Sequence, residues 1–304
     1  MNKFKVKFFL LIGLELILFP VIYIRELYKN LNSSKEKLNI LKNRNDIEEK
    51  KIYINIHEWG GYELKRVKSI HEKIPTFNCG LYYQLERFKK QHVDGFRKYV
   101  NVTMSEKEKY NEFDFVHSNS DNIDFVSNLG MDFSGYSFFF NKIKNEKNAY
   151  VILTNTSVNA ISSEDFLEDY INYMEANKDV AILGISYSTR MGQSLIRNNF
   201  IPHLQSFFYL TTIDVLKEIV NFNKGKFPGE NTADKLLLIR EGEIKMSVLA
   251  HNLGYNLAVI NEKGKVFRFG KNKRKDNGYN RWTLPKGDMR QFVEHPNKIN
   301  KILK

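Results

Sequence analysis

Residues 128–158 read NLGMDFSGYSFFFNKIKNEKNAYVILTNTSV, and the second half of this stretch decides the fold. Ala149-Tyr150-Val151-Ile152-Leu153 is a short apolar run without alternation, and it stops at Thr154-Asn155-Thr156-Ser157. Such a run is the pattern of a strand covered on both faces, as in a parallel sheet. Ligands of open α/β sheets bind beyond the carboxyl ends of such strands. Asn155, Thr156 and Ser157 are therefore expected to face a ligand. Upstream, Gly130 and Gly135 permit backbone geometry that other residues resist, and Asp132 places a carboxylate between them. Asn128, Ser134 and Tyr136 complete a polar and aromatic cluster, and Phe138, Phe139 and Phe140 read as core. The competing reading of the cluster is a capped helix after an ordinary turn.

Working outward, strand-like and helix-like segments alternate. Ile52-Tyr53-Ile54-Asn55-Ile56 reads as a first strand ending at His57-Glu58-Trp59-Gly60-Gly61, where His57 and Trp59 either meet a ring or close the top of a sheet. A helix is expected over 82–90 and strands over 98–103 and 113–117. Ser162-Ser163-Glu164-Asp165 is a helix start. Val180 to Ser186 is a second buried run, and Ile201 to Leu210 carries His203, Gln205 and Ser206 ahead of a strongly apolar strand. A helix over 212–221 follows, with Gly254 as a helix stop and a strand over 256–260. This alternation predicts an α/β chain with a mostly parallel sheet flanked by helices.

The chain has 304 residues, 42% hydrophobic and 13% aromatic, enough for one large α/β domain with appendages. A net charge of +12 suits an anionic partner, such as phosphate groups or an anionic membrane surface. No nucleic-acid partner is expected, because charge alone supports one and no recognised module accompanies it. Cys79 is the lone cysteine, which excludes an intrachain disulfide and a cysteine metal cluster. Phe8 to Ile24 is apolar apart from Glu15, follows Lys3, Lys5 and Lys7, and is close to the ~17-residue lower limit for a spanning helix. Residues 1–30 are expected to be a membrane anchor helix, spanning (a transmembrane helix) or lying partly in the interface, with a buried amphipathic helix of the soluble domain as the alternative, and 31–50 a charged helical stalk. A globular domain over 51–264 and a basic aromatic segment over 265–304 complete the division.

Four segments together resemble one family: Asn-x-Gly-x-Asp-Phe-x-x-Tyr at 128–136, Asn-x-Ser-Val at 155–158, Pro-His-x-Gln-Ser-x-Phe at 202–208, and Glu-Ile-x-x-Ser at 243–247 followed by Gly-Tyr. They are similar, in matching order over roughly 51–262, to bacterial polysaccharide-biosynthesis glycosyltransferases with a GT-A-like, Rossmann-like fold, related to rhamnan-synthesis type proteins. The resemblance implies transfer of a sugar from a nucleotide-sugar donor to a glycan or lipid-linked acceptor, with the soluble domain facing the cytoplasm.

The resemblance also implies that residues 154–158 occupy the place of an Asp-x-Asp motif, yet Asn155-Thr156-Ser157 supplies no carboxylate for a divalent metal. Either Asp132 and His203 contribute metal ligands, or no metal binds and basic residues neutralise the diphosphate. Arg268, Lys271, Arg274 and Arg281 are then the available cations. Glu243 is the first candidate for the base that takes the acceptor proton, with Glu241 and Asp132 as rivals and a helix-start carboxylate as the structural alternative. His203 is expected to face the ligand. Asn128, Gly130, Tyr136, Gln205 and Ser206 join the donor site on the same resemblance. A second reading, from another class, is a non-catalytic membrane-associated assembly protein that binds anionic glycan or lipid headgroups through its basic tail.

Overall fold

In the computed structural model the chain is described at residues 3–21, 23, 24, 28, 51–111, 113–147, 149–161, 165–189, 202–269, 285 and 287–303. The described strands are β1 Lys51–Trp59, β2 Arg66–Lys68, β3 Phe77–Cys79, β4 Arg97–Ser105, β5 Asn122–Val126, β6 Tyr150–Asn155, β7 Val180–Gly184, β8 Tyr187–Ser188, β9 His203–Leu204, β10 Phe208–Thr212, β11 Asn256–Ile260 and β12 Val266–Phe269. Eight of them form one sheet in the order β12-β11-β7-β10-β6-β1-β4-β5. β4, β1 and β6 pair in parallel, as do β5 with β4 and β11 with β7; β10 and β12 run antiparallel to their neighbours. The expected mostly parallel α/β sheet is present.

Side-chain alternation divides the core between the two faces of this sheet. Ile52, Ile54, Ile56, Val102 and Ile152 pack on one face with Phe88, Phe166 and Tyr170 from helices Leu81–Lys90 and Leu167–Ala176 and the turn before the second. Val151 and Leu153 pack on the other with Phe133 and Tyr136 of helix Asp132–Ile143, Leu216 of helix Ile213–Phe222 and Ala250 of helix Lys245–Asn252. A fully buried aliphatic side chain contributes about 1.5–3 kcal/mol. Packing on the sheet therefore holds these short helices in place more than their own propensity does.

Chain order around β1 locates the ligand edge. From β1 the chain steps to β4 and β5 on one side, then returns through the 132–143 helix to β6 on the other. The order reverses between β1 and β6, and such a switch point is where open α/β sheets take ligands. β8 and β9 pair antiparallel, Tyr187 opposite Leu204, and turn the chain so that β10 descends between β7 and β6. Ser206 and Phe207 are thereby left at the carboxyl end of β6, whose Asn155 N–H donates to the Phe207 carbonyl at 3.3 Å.

Three expectations change. Residues 113–117 are not a strand: Asp114–Asn119 is a helix, and Phe115 stacks on Tyr82 of the 81–90 helix with centroids 4.6 Å apart. Packing on a helix replaces strand pairing there. The segment after 265 is not a free tail, because Val266–Phe269 is an edge strand and Ile299 is fully buried. Tyr170 Oη donates to the Asn300 carbonyl at 2.6 Å and Asn297 Nδ2 to the Ser157 carbonyl at 2.9 Å. Of the Phe138–Phe140 trio, Phe139 and Phe140 are core and Phe138 is exposed.

The amino-terminal helix runs Lys3–Ile17. Among the described residues no helix is long and apolar enough to cross a membrane. Phe9, Leu10, Leu14, Leu16, Ile17, Leu18 and Val21 are exposed, while Leu11, Glu15 and Phe19 are half-buried, and the Glu15 carboxylate pairs with the buried Arg240. The proposed stalk over 31–50 lies outside the described residues.

The 132–143 helix presses closest to the sheet at Gly135. A Cβ there would meet His57 Nδ1 at 2.2 Å and Thr103 Oγ1 at 2.5 Å. Gly135→Ala should therefore cost about 1–3 kcal/mol of stability, the usual penalty for overpacking. Urea unfolding measures it, and a variant as stable as the parent would show that the helix can back away from β1 and β4.

Candidate functional site

The end of β6 is fully engaged. Thr154, Asn155, Thr156 and Ser157 are 0%, 4%, 2% and 9% exposed, so each polar group needs a partner. Thr154 Oγ1 donates to the Phe207 carbonyl at 2.8 Å. Asn155 Oδ1 accepts from the Ser157 N–H at 2.9 Å, a local turn, while its Nδ2 donates to Asp132 Oδ2 at 2.7 Å. Asp132 reaches this point as the first residue of its helix, where a carboxylate is favoured by the free backbone N–H groups.

Ser206 joins the strand end to Glu243. Its N–H donates to Glu243 Oε1 at 3.1 Å, and its hydroxyl lies 2.8 Å from the same oxygen and 3.4 Å from Asp132 Oδ2. One hydroxyl proton cannot serve both, and the shorter contact is with Glu243. Glu243 belongs to a π-helical turn, Ile239–Ile244, continuous with helix Lys235–Leu238 before it and the 245–252 helix after it. The wide turn buries Arg240 and Glu243, while Glu241 pairs with Lys245 at 3.2 Å on the outer side. Such turns recur at functional sites. Burial pushes the Glu243 carboxyl above the ordinary carboxylate range; the Ser206 bonds and Arg290 oppose this, and the Asp132 charge adds to it.

Across the switch point, a buried polar ladder lines β1 and β4. Asn55 Nδ2 donates to Thr103 Oγ1 at 3.0 Å, Asn101 Nδ2 donates to Asn55 Oδ1 at 3.2 Å, and His57 Nδ1 lies 3.3 Å from Thr103 Oγ1. Burial holds the His57 pKa below its ordinary value, against the pull of Asp132. On the opposite sheet face Glu58 takes Arg66 at 3.3 Å; burial raises its pKa, opposed by Arg66 and the Thr156 hydroxyl. Arg66 Nη2 donates to Thr156 Oγ1 at 2.9 Å, and Lys68 Nζ donates to Ser157 Oγ. Burial lowers the Lys68 pKa; Asp132 counters it, and Arg66 and Arg290 reinforce it. Arg290 pairs with Asp288 at 2.6 Å and lies 5.0 Å from the Phe207 ring.

The structure thus brings together Asp132, Asn155, Thr156, Ser157, Ser206 and Glu243. Gln205 is adjacent: its Oε1 accepts from Ser186 Oγ at 2.6 Å and its Nε2 donates to Asp288 Oδ2 at 3.4 Å. His203 is 1% exposed, and its Nδ1 has no hydrogen-bond partner among the described residues. Tyr136 is buried and donates to the Ser206 carbonyl at 2.7 Å, so it braces the loop from below. Gly130 is a packing position, where a Cβ would meet the Glu230 carbonyl at 2.5 Å. Asn128 lies outside the cluster, bonded to Ser105 at 3.3 Å and Glu106 at 3.4 Å.

Arg268 is not part of the site. It pairs with Asp179, which immediately precedes β7, at the amino end of that strand and across the sheet from Ser206. The antiparallel run of β12 carries it there. Lys271, Arg274 and Arg281 lie outside the described residues. The cations at the strand ends are instead Arg66, Lys68 and Arg290. Sequence reading missed them because residues 66–68 form a three-residue strand, paired with 77–79 and remote in sequence from β6, with no pattern of its own.

Room for a ligand is limited as the side chains stand. A crevice between Ile185, Ser186, Met289, Arg290 and Asn297 is too narrow for a water-sized sphere. A larger hollow of about 420 Å³ lies on the outer side of the π-helical turn, against Phe222, Lys226, Phe227, Glu230 and Glu241. Among the described residues no group of three or more His, Cys, Asp or Glu side chains is placed to hold a metal ion.

Burial depresses the His203 pKa from 6.5 to about 4, against the attraction of Asp288. The unfolded chain then binds more protons than the folded one between those values, so stability should fall as pH drops from about 6.5 towards 4. The full effect is up to about 3 kcal/mol. Urea midpoints at pH 7 and pH 4.5 measure it, and His203→Asn should flatten that part of the slope; an unchanged slope would place the acid sensitivity elsewhere. No protein-family model matches the chain, and no curated protein matches it significantly.

Proposed function

We propose that the protein is a glycosyltransferase that moves a sugar from a nucleotide sugar to a glycan or lipid-linked acceptor. The single observation that carries this reading is the meeting of Asp132 and Glu243 at the Ser206 hydroxyl, at the carboxyl end of β6. This end adjoins the switch point of an α/β sheet, where a nucleotide is expected. An antiparallel strand set into an otherwise parallel core sheet is compatible with a GT-A-like domain.

In an inverting transfer, the acceptor hydroxyl oxygen forms a bond to the anomeric carbon while the bond from that carbon to the diphosphate breaks. The hydroxyl proton passes to a base. Glu243 suits that role because burial raises its pKa towards the working pH, where a general base is most effective. Asp132, held by Asn155, is placed for sugar or ribose hydroxyls. The exposed apolar side chains of the 3–17 helix support the expected membrane association, in which the helix lies in the interface, with the catalytic domain on the cytoplasmic side where nucleotide sugars are made.

The packed state of Thr154–Ser157 is the observation that favours the second reading, a non-catalytic assembly protein. A nucleotide panel separates the two. Uridine or guanosine diphosphate at millimolar concentration should raise the melting temperature, because a ligand of the folded state alone stabilises it. No shift with any nucleoside diphosphate would remove the transferase reading.

Glu243 also anchors the Ser206 loop, and two substitutions separate that task from catalysis. Glu243→Gln keeps an oxygen for the Ser206 N–H and should change stability by less than about 1 kcal/mol, while transfer is lost. Glu243→Ala leaves the buried N–H unpaired and should cost about 1–3 kcal/mol. A Gln variant that still transfers sugar at the parental rate would show that Glu243 is structural.

A further inference from the structure

A GT-A-like transferase would ordinarily hold the donor diphosphate through a divalent cation, so the side chains at the end of β6 can be tested against that demand. They do not fit it. The strand ends in Asn155, Thr156 and Ser157; the Thr156 hydroxyl is met by the Arg66 guanidinium together with the Glu58 carboxylate that Arg66 neutralises, and the Ser157 hydroxyl by the Lys68 ammonium. Hard divalent cations take oxygen ligands, above all carboxylates. The carboxylates around the strand end are committed, Glu58 to Arg66, Asp132 Oδ2 to Asn155 and Glu243 Oε1 to Ser206. A dication placed beside Thr156 would also face the positive charges of Arg66 and Lys68.

We propose that Arg66 and Lys68, which reach Thr156 and Ser157, and Arg290, beside the Phe207 ring, form a metal-free site for the diphosphate of a nucleotide sugar. The inference rests on the transferase reading above and replaces the tail cations expected from the sequence. Three observations carry it. First, the three charges share one neighbourhood: Lys68 feels the fields of Arg66, Arg290 and Asp132, and Arg290 that of Glu243. Second, the guanidinium groups are braced, Arg66 by Glu58 at 3.3 Å and over the Tyr62 ring at 3.7 Å, Arg290 by Asp288 at 2.6 Å and beside the Phe207 ring. A braced guanidinium loses little freedom when it takes a phosphate.

Third, the bonds made by Arg66 and Lys68 to the strand end go to neutral hydroxyl oxygens. A phosphate adds a charge–charge attraction that a hydroxyl cannot offer these cations, so an incoming diphosphate competes with the Thr156 and Ser157 hydroxyls for Arg66 and Lys68. That exchange lets a ligand enter a strand end that is otherwise closed. Lys68 is a positioning and binding group here: it offers charge to the departing diphosphate and takes no proton in the reaction.

Calorimetric titration of the full chain with uridine diphosphate, guanosine diphosphate and inorganic pyrophosphate, each in excess EDTA and again with manganese, tests the site. The expected result is nucleoside diphosphate binding in EDTA as tight as with manganese, weakened about tenfold or more by Lys68→Met and restored by Lys68→Arg, with the melting temperature of each free variant monitored. Binding that requires manganese and ignores Lys68→Met overturns the metal-free site and leaves the transferase reading standing. Pyrophosphate binding in EDTA that depends on Lys68, with no nucleotide binding, supports the anion site and counts against the transferase. Should neither nucleotide nor pyrophosphate bind under either condition, both fall.

Discussion

β6 is buried along its whole length, and its last residues are polar. Tyr150 through Asn155 lie between β1 and β10 with no face open to solvent. A buried polar group left without a partner costs about 1–3 kcal/mol, so Thr154, Asn155, Thr156 and Ser157 each have to be met from within the protein. Five remote pieces of chain do this: the start of the 132–143 helix, the β2 hairpin, Gly80 through its N–H to the Thr156 carbonyl, the 205–207 loop, and Asn297 of the carboxyl-terminal segment. The candidate site is what this requirement assembles.

The same requirement gives Glu243 two tasks. Its Oε1 closes the Ser206 loop over the end of β6, and its burial between that loop and the π-helical turn raises its proton affinity. Structural closure and basicity therefore come from one cause, removal from water. Asp132 contributes differently. It is only half-buried, its Oδ2 accepts from Asn155, and its charge adds to the rise of the Glu243 pKa. Two carboxylates in unlike surroundings, one more solvated and one enclosed, can divide roles that two alike could not.

What could be read from the sequence follows the range of the interactions. The β6 run and its polar stop are local, as are the β7 run, the helix over 213–222 and the stop at Gly254, whose φ is +97°. The grouping of Asp132, Ser206 and Glu243 came from the resemblance, and the structure places these side chains within hydrogen-bonding range. The rest depended on long-range pairing. Arg66 and Lys68 meet β6 from 90 and 89 residues away, and a three-residue strand leaves no periodicity to betray them. Arg268 failed as a site residue for a related reason: composition marks a basic tail, but only strand direction decides that this arginine ends beside Asp179. The 113–117 segment misled through its alternation, which serves a short helix packed on Tyr82 just as well.

The π-helical turn ties these parts to the amino terminus. Within it Arg240 faces Glu15 of the 3–17 helix, Glu241 faces the solvent side with Lys245, and Glu243 faces Ser206. A carboxylate within an apolar helix is expensive in lipid; paired with the buried Arg240, Glu15 instead fixes one side of that helix against the domain. Leu11, Ile12 and Phe19 are half-buried while Phe9, Leu10, Leu14, Leu16 and Ile17 are exposed, so the helix has a covered and an open apolar side. On the interfacial placement proposed above, a helix held in this way would keep the strand ends near a lipid surface. On the proposed transferase reading, such an arrangement suits a lipid-linked acceptor, whose hydroxyl would be confined near the plane of Glu243, the proposed base.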